Sequence, residues 1–226
     1  MEKIAFCIPV TSNKTDWINI EESYLYNLTL KTIKEYHNYY ITFYISVDKD
    51  DKIFDNEKEM NKLKDYNIKV FINDFEKGAV THHWNYLYCK ALDDKNDYYW
   101  LVGDDIKYPE NDDWLRDCIN RLKSTNNIGI AGCYNGNPKL PMTQFLVSSK
   151  HKDIFNYAYP PQIKNWFCDN WLNSVYHKKY IHYCDKHFLL NTGGEPRYEI
   201  KNASKLCEIL IKKDRKRLMF YINSKK

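Results

Sequence analysis

Tyr98-Tyr99-Trp100-Leu101-Val102-Gly103-Asp104-Asp105 runs an unbroken apolar stretch into a glycine and two carboxylates. Five apolar residues without polar alternation predict a strand buried on both faces, as in the middle of a parallel sheet. Gly103 stops the strand and lets a bulky group approach the backbone. Asp104 and Asp105 then stand at its carboxyl end, the edge where open α/β sheets place ligands. Adjacent Asp side chains repel unless solvated or neutralised, and a hard divalent cation with oxygen ligands is the usual partner. Taken alone, the pair reads more readily as a solvated turn before Pro109.

Outward from this strand, two further apolar runs end in polar loops. Lys3 to Val10 leads through Pro9-Val10-Thr11-Ser12-Asn13, and Ile41 to Val47 ends in Asp48-Lys49-Asp50-Asp51. Helical patterns occupy Glu21 to Tyr36, Asp55 to Tyr66 and Ala79 to Leu92, and Ile68 to Ile72 reads as a strand, so residues 1–106 alternate as βαβαβαβ. Right-handed crossovers put every carboxyl end on one side, which aligns Thr11, Asp48, Asp104 and Asp105 along a single edge.

In this order the segments resemble a GT-A glycosyltransferase, most like family 2 of that class. The matching positions are Ile8 to Asn13 for the first-strand loop and Asp48 for the second-strand acid. Lys77-Gly78 and Asn85 match the glycine-to-asparagine stretch, and Asp104-Asp105 the metal motif, whose usual first Asp falls on Val102. The likeness covers about residues 3–110 well and the remainder loosely. It implies an α/β fold with a Rossmann-like mixed sheet flanked by helices, in one domain with a C-terminal helical extension. Residues 1–110 would form the nucleotide-sugar half, 111–200 the acceptor half and 201–226 a basic helix. It further implies a nucleotide-sugar donor, UDP-linked, held by Pro9, Val10, Thr11, Asp48, Lys77, Asn85, Asp104 and Arg197. A Mn²⁺ or Mg²⁺ ion would sit on Asp104 and Asp105, with His187 available as a third ligand.

The second half should hold the acceptor, a glycan or other hydroxyl compound. A helix is predicted over Trp114 to Lys123, strands over Ile128 to Cys133 and Gln144 to Ser148, and a turn at Asn135-Gly136-Asn137-Pro138. Trp166-Phe167-Cys168-Asp169-Asn170-Trp171 opens another helix, and the resemblance makes Asp169 the general base of an inverting transfer, between aromatic walls suited to a sugar ring. The alternative is an N-cap Asp flanked by two core tryptophans. Asn191 to Tyr198 is a Gly-Gly loop ending in Arg197, placed either to close on a diphosphate or as a surface turn. Ala203 to Tyr221 is a basic amphipathic helix, expected to pack on the sheet with its charges solvated; weak contact with an anionic membrane is its other use.

Composition agrees with this class. The 226 residues carry a net charge of +4, compatible with an anionic sugar nucleotide and too small to argue for nucleic acid. The seven Cys lack CxxC spacing and no targeting segment precedes the first strand, so a reduced cytoplasmic protein is expected. A zinc site drawn from His182, Cys184, His187 and either Cys168 or His177 follows no familiar spacing. Two rival readings remain. A sugar-nucleotide nucleotidyltransferase would carry a glycine-rich basic loop that Thr11-Ser12-Asn13-Lys14 lacks, and a catalytically silent sugar-binding protein would keep only the fold.

Overall fold

Four strands, Lys3–Val10 (β1), Tyr40–Asp48 (β2), Ile68–Asn73 (β3) and Tyr98–Leu101 (β4), pair in parallel in the order β3-β2-β1-β4 in the computed structural model, which describes residues 1–136 and 141–225. β1 and β4 are apolar on both faces because both faces are covered, and Ile4 to Ile8 and Tyr99 to Val102 are almost wholly excluded from solvent. The predicted alternation over residues 1–106 therefore stands.

The first crossover is not the single regular helix predicted over Glu21 to Tyr36. It breaks into a 3-10 turn at Ile20–Glu22, a π-helical turn at Leu25–Leu30 and a short α turn at Lys31–Ile33 (α1). The Asn27 amide donates to the Glu21 and Ser23 carbonyls and the Thr32 hydroxyl to Leu28 O, which competes with a regular ladder. The second crossover shortens to Glu57–Met60 (α2) with one further turn, whereas Val80–Asp93 (α3) forms as read.

Beyond β4 come Ile106–Lys107 (β5), Asp113–Ser124 (α4), Ile130–Tyr134 (β6), Phe145–Ser148 (β7), Ser149–Phe155 (α5), Cys168–Val175 (α6), Ile181–Phe188 (β8), Leu190–Asn191 (β9) and Ser204–Ser224 (α7). The full sheet is β3-β2-β1-β4-β7-β6-β8, mixed because β7 runs antiparallel to both of its neighbours. The reversal brings the start of β7 to the edge where β1, β2 and β4 end. β5 and β9 form a separate antiparallel pair that lays the segment after β9 across Asp105. Asn137 and Pro138 of the predicted turn lie outside the described residues.

α7 packs on α5 and α6 rather than on the sheet. It buries Cys207, Leu210, Asp214 and Leu218 and leaves its lysines and arginines in solvent. Asp214, fully enclosed, accepts hydrogen bonds from the Tyr157 hydroxyl at 2.6 Å and from Trp171 Nε1 at 3.2 Å. One buried acid thus docks an otherwise basic helix. Among the described residues no helix is long and apolar enough to cross a membrane.

Candidate active site

The carboxyl ends of β1, β2 and β4 open onto a cavity of about 1020 Å³. Its walls come from the β1 loop, Asp48 to Lys52, Lys77-Gly78, Gly103 to Ile106, Thr143-Gln144, Asn165 to Asn170 and Arg197-Tyr198. Pro9, Val10, Thr11, Asp48, Lys77, Asp104, Asp105, Asp169 and Arg197 all line it. Asn85 does not.

The β1 loop is shaped by an acid that the sequence reading passed over. Asp51 accepts from Ser12 N at 2.7 Å, the Ser12 hydroxyl at 2.7 Å, the Thr11 hydroxyl at 3.1 Å, Ile53 N at 3.1 Å and Phe54 N at 2.9 Å. Burial alone would raise its pKa, but these donors outweigh burial and hold it below the ordinary value. The Thr11 hydroxyl, expected on the uridine, is already engaged here. Asp51→Ala would leave several enclosed N–H groups unpaired, so a loss of about 3 kcal/mol is expected in urea unfolding. A depressed folded pKa makes this contribution complete above the unfolded Asp value of about 3.9 and lost as pH falls below it. Wild type and Asp51→Ala should therefore converge in stability under acid.

Asp48 meets a second unforeseen partner. Asn73 Nδ2 donates to Ser46 Oγ at 2.8 Å, Ser46 Oγ lies 2.6 Å from His83 Nδ1, and His83 Nε2 lies 3.2 Å from Asp48 Oδ1. That last contact is poorly aligned, and Asp48 Oδ1 stays a buried acceptor without a hydrogen-bond donor. Asp48 also lines the cavity, and a carboxylate oxygen in this condition suits an N–H or O–H donor.

The acid pair splits into two roles. Asp104, 1% exposed, is clamped bidentately by Arg197, with Nη1 to Oδ2 at 2.9 Å and Nη2 on Oδ1. The same guanidinium donates to Thr11 O at 2.7 Å and lies 5.6 Å from the Trp17 ring and 5.7 Å from the Tyr24 ring. Burial works against its charge, yet Asp104 more than compensates and its pKa rises. Arg197, expected on a diphosphate, is here paired with Asp104, and both residues line the cavity. A buried carboxylate draws the nearest fixed cation, and the loop delivers one.

Asp105 remains free toward the cavity, with only Asn191 Nδ2 near its carboxylate, at 3.4 Å. Burial first and the Asp104 charge second push its pKa up to about 6, against the pull of Arg197. It sits between two glycines. A Cβ at Gly103 would come within 2.8 Å of its Oδ1, and one at Gly193 within 1.9 Å of Oδ2. Only glycine permits the carboxylate to lie there.

Asp169 is in the first turn of α6, not at its cap. The cap position is Phe167, at φ 76° with no side-chain bond, which removes the N-cap alternative. Burial raises the Asp169 pKa, partly offset by the Asn170 N–H at 2.9 Å. Of the two tryptophans, Trp166 is 45% exposed and faces the cavity, whereas Trp171 is wholly core.

Asn85 is a correction. It accepts from Ala158 N and Tyr159 N and donates to Tyr159 O at 2.8 Å, so it fixes the segment behind the cavity. Lys77 extends its amine to Lys49 O at 2.8 Å. Gly78, at φ +78°, lies under Tyr198, whose Cβ would be 3.1 Å from an added Cβ. The zinc set drawn from the sequence is not assembled, since His182 bonds the Thr125 hydroxyl, His177 lies against Met219 and Cys168 belongs to the opposite core layer from Cys184. His187, offered as a third ligand of the catalytic metal, does not line the cavity.

No protein-family model and no curated protein matches the sequence. Solved structures do. S. aureus TarS 1-349 in complex with UDP-GlcNAc is 14% identical and matches over 95% of this chain and 66% of its own, with a TM-score of 0.64. A mannosyltransferase from Pyrobaculum calidifontis in complex with GDP-Man and Mn²⁺ is 10% identical over 87% of this chain and 58% of its own, with a TM-score of 0.57. A 4-diphosphocytidyl-2C-methyl-D-erythritolsynthase from Anaerococcus prevotii is 14% identical over 96% of both chains, with a TM-score of 0.54. This chain spans 59% to 66% of the TarS fragment's length. Identities this low speak for architecture alone, and that architecture is of the GT-A type.

Proposed function

We propose that the protein is a glycosyltransferase that moves a sugar from a nucleoside diphosphate donor, UDP-linked, to an acceptor hydroxyl with inversion. The observation that carries this reading is one cavity lined both by a strand-end carboxylate without a cation partner, Asp105, and by a second such carboxylate, Asp169, on the α6 helix. The first suits the diphosphate end of a donor and the second suits an incoming hydroxyl.

The residues fit a divalent cation through Asp105, a hard oxygen donor in a cradle kept open by Gly103 and Gly193. Asp104 would join it only by releasing Arg197. When bound, Mn²⁺ or Mg²⁺ would neutralise charge on the departing nucleoside diphosphate. The chain's own groups do the remaining work. Asp48 offers its unpaired oxygen to the nucleoside, with His83 behind it, and the Asp51-braced loop keeps Pro9 to Ser12 in place. Asp169 takes the proton from the acceptor hydroxyl, and its raised pKa makes it the stronger base. Trp166, exposed at the cavity, gives an apolar face for a sugar ring.

A nucleotidyltransferase is disfavoured by the β1 loop, whose hydroxyls and N–H are turned to Asp51 and not toward a triphosphate. Calorimetry with UDP, with and without Mn²⁺, tests the proposal. Micromolar binding that depends on the ion is expected, and CTP bound more tightly than any UDP-sugar would reverse the choice.

A further inference from the structure

Cys118 on α4, Cys133 on β6 and Cys184 on β8 bring their sulfur atoms within 4.8 Å of one another. Cys118 and Cys184 are 66 residues apart in sequence, yet their sulfurs lie 3.0 Å apart. All three are buried, and none lines the donor cavity.

The backbone around them is irregular in one place. β6 and β8 pair at Ile130↔Ile181, Ala131↔His182 and Gly132↔Tyr183, then resume at Tyr134↔Phe188. Cys133 alone thus stands opposite the whole stretch Cys184 to His187. Bulges of this kind re-aim side chains next to sites. This one places Cys184 and His187 opposite Cys133, with the imidazole outside the 4.8 Å grouping of the three sulfurs, so that it must swing in to reach them. Asp117, beside Cys118, holds a buried Oδ2 without a hydrogen-bond partner.

We propose that Cys118, Cys133 and Cys184 bind a structural zinc ion, with His187 supplied by the bulge as the fourth donor. Zinc–thiolate bonds of about 2.3 Å place tetrahedral ligand sulfurs about 3.8 Å apart, inside the span this trio already covers. On loading, three S–H groups release their protons to solvent as three S–Zn bonds form, and no electron is transferred. Three thiolates with a neutral imidazole leave the site one negative charge, with the Arg121 guanidinium nearby on Asp117 and Asp185. Packing explains a buried cysteine but gives no reason for a bulge opposite Cys133. The ion would clamp α4 to the β6–β8 edge of the sheet.

The test is the metal content of the full chain, purified without chelator, followed by exchange into Co²⁺. One zinc per chain is expected, and cobalt should give thiolate charge-transfer absorption with strong tetrahedral visible bands. Cys133→Ser should lose both, while Cys207→Ser, a buried cysteine outside the trio, should keep them. If Cys133→Ser does not fold, the wild-type cobalt spectrum decides. Cobalt on the cavity carboxylates gives no thiolate band, so Asp105→Asn should leave the signal intact whether or not the transferase reading holds. Reduced protein that takes up neither ion at these thiols overturns the proposal, as does a Cys118–Cys184 disulfide in the intact mass. A cobalt spectrum unchanged by His187→Ala overturns the fourth donor.

Discussion

Asp169→Asn is expected to lower sugar transfer by roughly 10² to 10⁴ while donor affinity stays near wild type, because a general base acts on the acceptor and not on the nucleotide. The substitution is nearly isosteric, and the amide oxygen can still accept from the Asn170 N–H, so the melting temperature should hardly move. The pH profile adds a second readout. Burial raises the Asp169 pKa, and only the carboxylate accepts a proton, so transfer should rise with pH through a midpoint above the ordinary Asp value. That limb should vanish in Asp169→Asn. Transfer rates, UDP affinity and melts for both proteins check the set, and near wild-type transfer by the variant would remove both the base and the case for inversion.

Asp105→Asn should abolish the metal dependence of UDP binding. A cation clamp on phosphoryl oxygens is worth several kcal/mol, so the Mn²⁺-supported affinity should fall by more than about 10²-fold. Its effect on stability should have the opposite sign from that of most losses of charge. Burial and the neighbouring Asp104 both penalise the Asp105 carboxylate, so a neutral amide relieves repulsion and the melt should hold or rise. Titration calorimetry across Mn²⁺ concentrations reads the first effect and thermal melts the second. Equal UDP affinity with and without Mn²⁺ in the wild type would end the assignment.

The sheet edge was legible because uninterrupted apolar runs and their polar stops are strong local signals. β1 ends at Val10 as predicted, and β2 and β4, at Asp48 and Leu101, end within one residue of the predicted Val47 and Val102. β8 was not legible, since Ile181 to Phe188 forms an edge strand whose half-buried His and exposed Asp and Lys positions blur any alternation. α5 covers only Ser149–Phe155, too short to display a helical period. Within the site, the cavity position of Asp169 followed from motif order alone. Asp51 and His83 were missed because what they do depends on neighbours brought from other strands. The Arg197–Asp104 pair was missed for the same reason, since no pattern along the chain announces that a loop cation will meet Asp104. The cysteine trio comes from three elements, so no short spacing could reveal it.

The clamp on Asp104 also has a temporal side. Its cation lies 93 residues downstream, and that same guanidinium reaches 186 residues back to the Thr11 carbonyl. Contacts this distant in sequence close late in folding, after the loop entropy between them has been overcome. During synthesis, a chain extended only as far as α6 would already contain Asp48, Asp104, Asp105 and Asp169, yet it would lack Gly193 over Asp105 and Arg197 on Asp104. Its acid pair would face water with no opposing cation. Nucleotide binding should therefore appear in a ribosome-bound series only once residues beyond Tyr198 have emerged, as a single late step.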